Sequence, residues 1–386
     1  MIENGFAYLS LLIFLASVIV YLDRSYHFKL FDYLPAIVIL YFLVMLFSTL
    51  GLWQKTAEIT AAYKGIKSNL LPAMIFLMLL HADLRKIAGL GGKMLLTFFL
   101  AAFSIGMGFI GMFVLFHSHF GPEAWKAFSA LSGSWMGGTA NMVAIQGALN
   151  VPDAKMGYAL LIDSVDYAIW VMVLLALVPL AGRFNLWSGA DTSIIDEVGE
   201  KLEENISGES MSFHSLFLLL GSALAVSAIS QYFAASLPVS DFVTTGTWVV
   251  ILATLAGILL AMSPLSRVAG SSELGNILLY IIVALIASRA NFSELAQAPL
   301  YILAGFVIIA IHVLLMIFFA RLFKLDLFSL GVASLANIGG VASAPILAGA
   351  YSQALIPIGV LMAMMGYILG TFGGLAVGKV LEVIAG

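Results

Sequence analysis

Two carboxylates and two glycine pairs are the residues most able to do chemistry in this chain. Asp163 and Asp166 stand in LLIDSVDYAIW, inside an otherwise apolar run. A carboxylate at the centre of a membrane span costs about 2.5–3.5 kcal/mol even on insertion scales, so such residues are expected to serve an ion or a ligand. Their i, i+3 spacing places them at neighbouring positions on one helix face. Just upstream, Ser132–Leu149 reads SGSWMGGTANMVAIQGAL, and a displaced relative, SLANIGGVASAPILAGAY, occupies Ser334–Tyr351. A Gly-Gly break leaves backbone N–H and C=O groups without helical partners. At membrane depth this is tolerated only where protein or a water-filled cavity satisfies them. The N-termini of half-helices suit anions, and unwound carbonyls suit Na⁺. On this reading Thr139, Asn141, Asp163 and Asp166 bind a cation, while Ser132, Ser134, Gly137, Gly138, Ser334, Asn337, Gly339, Gly340 and Ser343 contact a solute. The plainer alternative is that the small residues serve close helix packing and that both aspartates sit in a polar entrance.

Other polar residues within apolar stretches are weaker candidates. His312 is either a proton carrier or a histidine bonded to a nearby carbonyl, the second being the commoner case. Glu273, Asn276 and Arg289 suit helix ends, with Arg289 also a possible partner for a solute carboxylate. Gln146 lines a cavity or faces a neighbouring helix. Trp125, Trp170 and Trp248 fit interfacial belts or packing. No metal-ligand spacing, phosphate loop or nucleophile–base signature is visible. GSWMG has the form G-x-S-x-G but lies in a membrane segment rather than a strand–turn–helix setting, so no enzyme activity and no cofactor are expected. There is no cysteine for disulfides or thiol chemistry.

The elements that must position these residues are membrane helices. The 386 residues are 62% hydrophobic and 10% charged, with mean hydropathy +1.07, far from the roughly 25% charged average of soluble domains. A net charge of −4 without a basic stripe argues against a nucleic-acid partner. The acidic start MIENGFAYLS lacks a basic n-region, so Phe6–Tyr21 reads as a mature span rather than a signal peptide. Six apolar segments follow in the first half: Phe6–Tyr21, Tyr33–Leu50, Leu70–Leu80, Met94–Phe116, Trp125–Leu149 and Tyr158–Leu180. The second half repeats them as Ser212–Phe233, Thr244–Met262, Leu274–Ala287, Pro299–Ala320, Leu327–Tyr351 and Leu355–Val377. Between them, residues 183–211 carry 7 of the 21 acidic residues and read as a solvated linker with a short surface helix around Ile194–Leu202. Gly137 and Gly339 stand 202 positions apart. At that offset Ser132, Gly138, Ala140, Gly147 and Ala148 also meet identical residues, which points to a duplication of 1–182 as 212–386.

The arms Trp125–Met136 and Thr139–Leu149 are each too short to span about 30 Å of hydrocarbon. They are therefore expected to re-enter, leaving five crossings per half and an inverted second half. The fold class is thus an all-α integral membrane protein of two inverted-topology repeats, about ten transmembrane helices plus two re-entrant hairpins. Lysine and arginine counts place both termini outside and the acidic linker in the cytoplasm.

The order of these features resembles the YjcL-like bacterial membrane proteins of unassigned function. The resemblance rests on twelve hydrophobic segments, Gly137-Gly138-Thr139-Ala140-Asn141, its weaker copy at Gly339-Gly340, and Asp163 and Asp166. It covers nearly the whole chain. That group is in turn distantly similar to sodium–glutamate symporters, sodium-coupled 2-hydroxycarboxylate transporters and, more remotely, bile-acid symporters. The resemblance implies a homodimer with scaffold and mobile domains in a bacterial cytoplasmic membrane, and Na⁺-coupled uptake of a small organic solute by alternating access. A cation/proton antiporter, and a channel or non-transporting receptor, are the rival expectations.

Overall fold

The computed structural model describes the chain except for residues 27–30, 32–34, 55, 81, 83, 192–210, 241–242, 293–296 and 353–354. The expected helix at 194–202, the acidic residues around it, and Lys29, Lys55, His81 and Asp83 lie outside the described residues. Among those described, the fold is all helix, apart from an isolated bridge between Ile2 and Trp53.

The first half supplies α1 (Gly5–Ser25), α2 (Ala36–Thr49), α3 (Ala57–Leu79), α4 (Gly91–Phe116), α5 (Ala124–Gly137), α6 (Thr139–Ala148) and α7 (Asp153–Leu177). The second supplies, in the same order, α8 (Phe213–Ala234), α9 (Thr245–Ala261), α10 (Ser271–Ala287), α11 (Ala298–Phe323), α12 (Leu327–Ile338), α13 (Ala344–Tyr351) and α14 (Ile356–Ala385). Six of these, α1, α4, α7, α8, α11 and α14, are long and apolar enough to cross a membrane. Their outward faces carry Phe14, Phe99, Phe103, Met172, Phe217, Leu314 and Phe318 in exposed positions, as lipid contact requires. The short segment expected at Leu70–Leu80 is the buried half of the 23-residue α3, whose opening turns carry Glu58, Lys64 and Lys67. Hydropathy alone marks only its apolar end. The beginning of the expected linker is helical too, as the short helix Ala181–Ser188.

Local chemistry sets the helix starts. Asn4, Thr56, Ser212 and Asp326 each accept a backbone N–H of the first turn, satisfying donors that a helix start otherwise leaves bare. Pro299, Pro345 and Pro357 occupy first turns, where a missing N–H costs nothing. Thr244 and Thr247 form a reciprocal capping box on α9, and both hydroxyls also donate to Ala148 O at the end of α6, at 2.9 and 2.8 Å. One pair of threonines thus caps one helix and closes another.

The helices gather into two groups. α3 packs on α1, α8, α9 and α10, and α10 also on α1 and α2. The other group joins α4 to α11, α5 to α14, and both broken pairs to α14. The closest contact in it is built from glycine. On α14, Gly366, Gly370, Gly374 and Gly378 recur every fourth residue, and they face Gly137, Gly133 and Ser129 of α5. A Cβ on Gly370 would lie 2.8 Å from Gly137 Cα, and one on Gly374 2.9 Å from Gly133 Cα. Small residues at this period let two backbones touch where lipid offers no hydrophobic drive for association. Gly374→Ala is therefore expected to lower the thermal midpoint of the detergent-purified protein, an overpacking cost of about 1–3 kcal/mol. Gly221→Ala, with nothing within 4 Å of the added methyl, should leave it unchanged or higher; intrinsic tryptophan fluorescence follows both.

Candidate functional site

Both glycine pairs break their helices. Gly138 separates α5 from α6 with φ 86°, and Gly340, with φ 59°, opens the turn that follows α12 and leads to α13. These are the second residues of their pairs, 202 positions apart, and both occupy the left-handed region that disfavours a side chain. The two breaks meet. A cavity of about 260 Å³ is lined by Gly138, Thr139 and Ala140 from the first and by Ile338 through Ala342 from the second, together with Asp163 and Tyr167 of α7 and Tyr367 of α14. Its opposite wall comes from the other helix group: Val38 of α2, Met78 of α3, and Asn276 and Tyr280 of α10.

The two tyrosines cross over. Tyr167 of the first half lies so close to Gly339 that a methyl there would collide with its ring. Tyr367 of the second half lies 3.8 Å from where a Cβ of Gly138 would stand. Each half thus closes the other half's break. The tyrosines are 200 positions apart, close to the spacing of the glycine pairs, and Tyr167 follows Asp163 by one helical turn. That periodicity is the signal by which sequence could have found it. Asn276, weighed above only for a helix end, also reaches this cavity.

Asp163 is the one charged side chain among the described residues that line it. Its Oδ1 accepts from Ser134 Oγ at 3.0 Å and from Trp135 Nε1 at 3.1 Å. Two donors of the last turn of α5 therefore hold the carboxylate beside the break. The carbonyl ends of α5 and α12 and the N-terminal end of α6 converge on the same space, which offers acceptors for a cation and donors for an anion.

The structure divides the expected residues. Thr139, Asp163, Gly138, Gly339 and Gly340 border the cavity, and Ser134 reaches it through Asp163. Gly137 is pressed against Gly366 of α14. Asn141 is spent on structure, its Nδ2 donating to Gly137 O at 2.7 Å and its Oδ1 accepting from Thr371 Oγ1 at 2.6 Å. Ser132 donates to Ser129 O, and Asn337 Nδ2 donates to Ala333 O. Ser343 is buried beside Gly339. Ser334 joins a different network: its Oγ accepts from Trp170 Nε1 at 2.9 Å and pairs with His312 Nε2 at 2.8 Å, while His312 Nδ1 meets Ser104 Oγ at 2.7 Å. His312 is thus held by two serines rather than by a carbonyl.

Asp166 points elsewhere than Asp163. It is fully buried, against α11 where Gly305 has no side chain to obstruct it. Neither of its carboxylate oxygens has a hydrogen-bond partner among the described residues. Two residues adjacent on a helical wheel face different neighbours here because α7 is wedged between the first break and α11. Arg289 stacks on the Tyr63 ring, 4.7 Å from its centroid, and donates to Thr60. Gln146 donates to Asp153 Oδ1, the carboxylate that Lys67 and Tyr63 also hold. Neither reaches the cavity. No group of three His, Asp or Glu able to hold a metal ion occurs among the described residues.

Residues 10–384 match a family described as "Protein of unknown function (DUF819)", and the chain belongs to that family. It is also 24% identical over 353 residues to an uncharacterized membrane protein, YjcL, of Bacillus subtilis, with 87% of each chain covered. The chain is a membrane protein, and its several apolar spans make it multi-pass.

Thr371→Val removes the donor to a buried Asn141 oxygen and is expected to cost about 1–3 kcal/mol, read as a lower thermal midpoint. Asp166→Asn keeps the shape and takes away the group's capacity for charge, so it should leave the midpoint unchanged or raised. A large loss in that variant would show that the carboxylate itself is bound to something.

Proposed function

We propose that this protein is a secondary active transporter that carries a small anionic or zwitterionic organic solute, such as an amino acid, dipeptide or carboxylate, together with Na⁺. The observation that carries the reading is the meeting of two helix breaks, one from each half, at a cavity whose lining holds one carboxylate and no lysine or arginine. Binding a cation at Asp163 neutralises that carboxylate. An anionic group entering the same dry space without that cation would face an unscreened like charge, so solute and cation favour one another's binding. The helix ends at the breaks provide carbonyls for the ion and free N–H groups for the solute.

The architecture we infer is two inverted repeats, 1–182 and 212–386, with about ten crossings and two re-entrant hairpins. Its support is the parallel order of the seven longest helices of the first half and the seven of the second among the described residues, where the first half also has the short helices Leu84–Ala88 and Ala181–Ser188, the left-handed glycine at each break, and the reciprocal placement of Tyr167 and Tyr367. The group containing α1–α3 and α8–α10 acts as scaffold and dimer surface in a bacterial cytoplasmic membrane, while the hairpin group moves against it. The cavity lies at the seam between them, where such motion would expose it alternately to each side. Thr139 and Asp163 are the cation ligands of this reading, and the tips at Gly138–Ala140 and Ile338–Ala342 hold the solute. A second reading, cation/proton antiport, draws on the same lone carboxylate, which can exchange H⁺ for Na⁺ without an organic solute.

Uptake into proteoliposomes, with Na⁺ and H⁺ gradients imposed separately on a panel of amino acids, dipeptides and carboxylates, tests this. Accumulation driven by the Na⁺ gradient is expected. Uptake indifferent to both gradients would sink the coupling, and Na⁺-driven proton release without solute would favour antiport. Asp163→Asn retains an oxygen to accept from Ser134 and Trp135, so it should keep its thermal midpoint yet lose the Na⁺ response.

A further inference from the structure

A second cavity, about 490 Å³, opens between the C-terminal half of α7, α11, α12 and the short helix Ala181–Ser188. Its walls are apolar: Leu174, Leu177, Val313, Met316, Ile317 and Leu330. Its inner end reaches Trp170, His312 and Ser334, whose polar atoms are engaged with one another, so it calls for an occupant that is apolar there. Trp170, Leu174 and Leu177 line it at successive turns of α7, a rise of about 10 Å at ~1.5 Å per residue, against ~15 Å for one leaflet of a ~30 Å hydrocarbon core. The cleft is therefore long enough for much of an acyl chain.

The mouth is basic. Arg183 lines it, and Arg321 Nη1 donates to the carbonyl of Trp187, another lining residue, at 2.9 Å. Lys324, where α11 ends, lies with Arg321 against Gly189. The nearby Asp326 does not offset them, because it is buried and accepts from Ser329 N and Oγ as the cap of α12. Lys93 adds a fourth cation on this side, donating to the backbone carbonyl of Asp191. Trp187, half-exposed, has the amphipathic ring suited to the headgroup level.

From this charge complementarity and depth, we propose that the cleft is a binding site for an anionic phospholipid, with one acyl chain between α7, α11 and α12 and its phosphate at Arg183, Arg321 and Lys324. The site stands apart from the solute cavity but shares an element with it. Ser334 lies one turn of α12 before Ile338 and Gly339 of the second break. An acyl chain against Leu330 and Ser334 would brace that arm, an effect on transport that rests on the reading above; the binding itself does not.

Tryptophan quenching in bilayers tests the binding directly. The full-length protein is reconstituted in vesicles containing acyl-brominated phosphatidylglycerol or acyl-brominated phosphatidylcholine, and the Trp170 component is obtained by difference from Trp170→Phe. Phosphatidylglycerol is expected to quench Trp170 at lower mole fraction, with the preference falling roughly fivefold for each of Arg183→Gln, Arg321→Gln and Lys324→Gln. Arg321 and Lys324 are exposed, so their variants should fold. Equal quenching by the two lipids would mean ordinary solvation of the helix surface and overturn the proposal. A preference that survives all three substitutions would do the same. A preference that emerges only after the acidic residues between 196 and 209 are changed to their amides would assign the mouth to the chain's own linker, and would also overturn it.

Discussion

The structure depends on one constraint: a helix broken at membrane depth must have its loose backbone groups covered by protein. Two breaks within one chain double that demand. The chain meets it by letting the halves cover one another. Tyr167 seals the break at Gly339, Tyr367 seals the break at Gly138, and α14 lies backbone to backbone on α5 through glycines spaced four apart. Asn141 stitches the first break internally by bonding Gly137 O and Thr371. The far end of α6 is closed from the other helix group by Thr244 and Thr247. Neither break would be covered unless the other half were folded against it.

That mutual cover leaves a small space where helix ends converge, and the electrostatics of the space follow from what lines it. Asp163 is tethered by Ser134 and Trp135 rather than by a basic side chain. A carboxylate bonded to lysine or arginine would already be neutralised, whereas one held by neutral donors keeps its appetite for a cation. The same chain does pair a half-buried carboxylate with a cation elsewhere: Asp153 receives Lys67 at 3.3 Å, with Tyr63 and Gln146. The contrast separates a structural carboxylate from a functional candidate by the partners each was given.

The two cavities lie along successive turns of α7, one at Asp163–Tyr167 and the other at Trp170–Leu177, and have opposite chemistry. One is small, bounded by helix ends and a carboxylate. The other is larger, walled by leucine, valine, isoleucine and methionine, and rimmed with positive charge. α12 contributes to both, Leu330 and Ser334 to the larger and Ile338 to the smaller. The arms of the first hairpin are packed along their length, α5 by α4, α7 and α14, and α6 by α3, α9 and α14.

Much of this was legible in sequence. Hydropathy marked the six long apolar spans and the apolar end of α3, and the two glycine pairs marked the breaks, because these are local properties of chain stiffness and transfer to lipid. The glycines of α14 at intervals of four gained their meaning only from the structure, which lays them against Gly137, Gly133 and Ser129 of α5. Sequence could not apportion the polar residues. Asp163 and Asp166 share a helical face, and spacing alone cannot say which neighbour each meets. That was decided by which helices pressed on α7 and α5: α11, with Gly305, took Asp166 out of the cavity, α14 took Gly137 and Asn141, and His312 with Trp170 took Ser334. The sequence by itself determined that the chain is helical, membrane-embedded and twice interrupted. Tertiary packing alone decided that the interruptions meet, and that Asp163 is the carboxylate between them, because a side chain's role in a dry interior is set by the partners that reach it first.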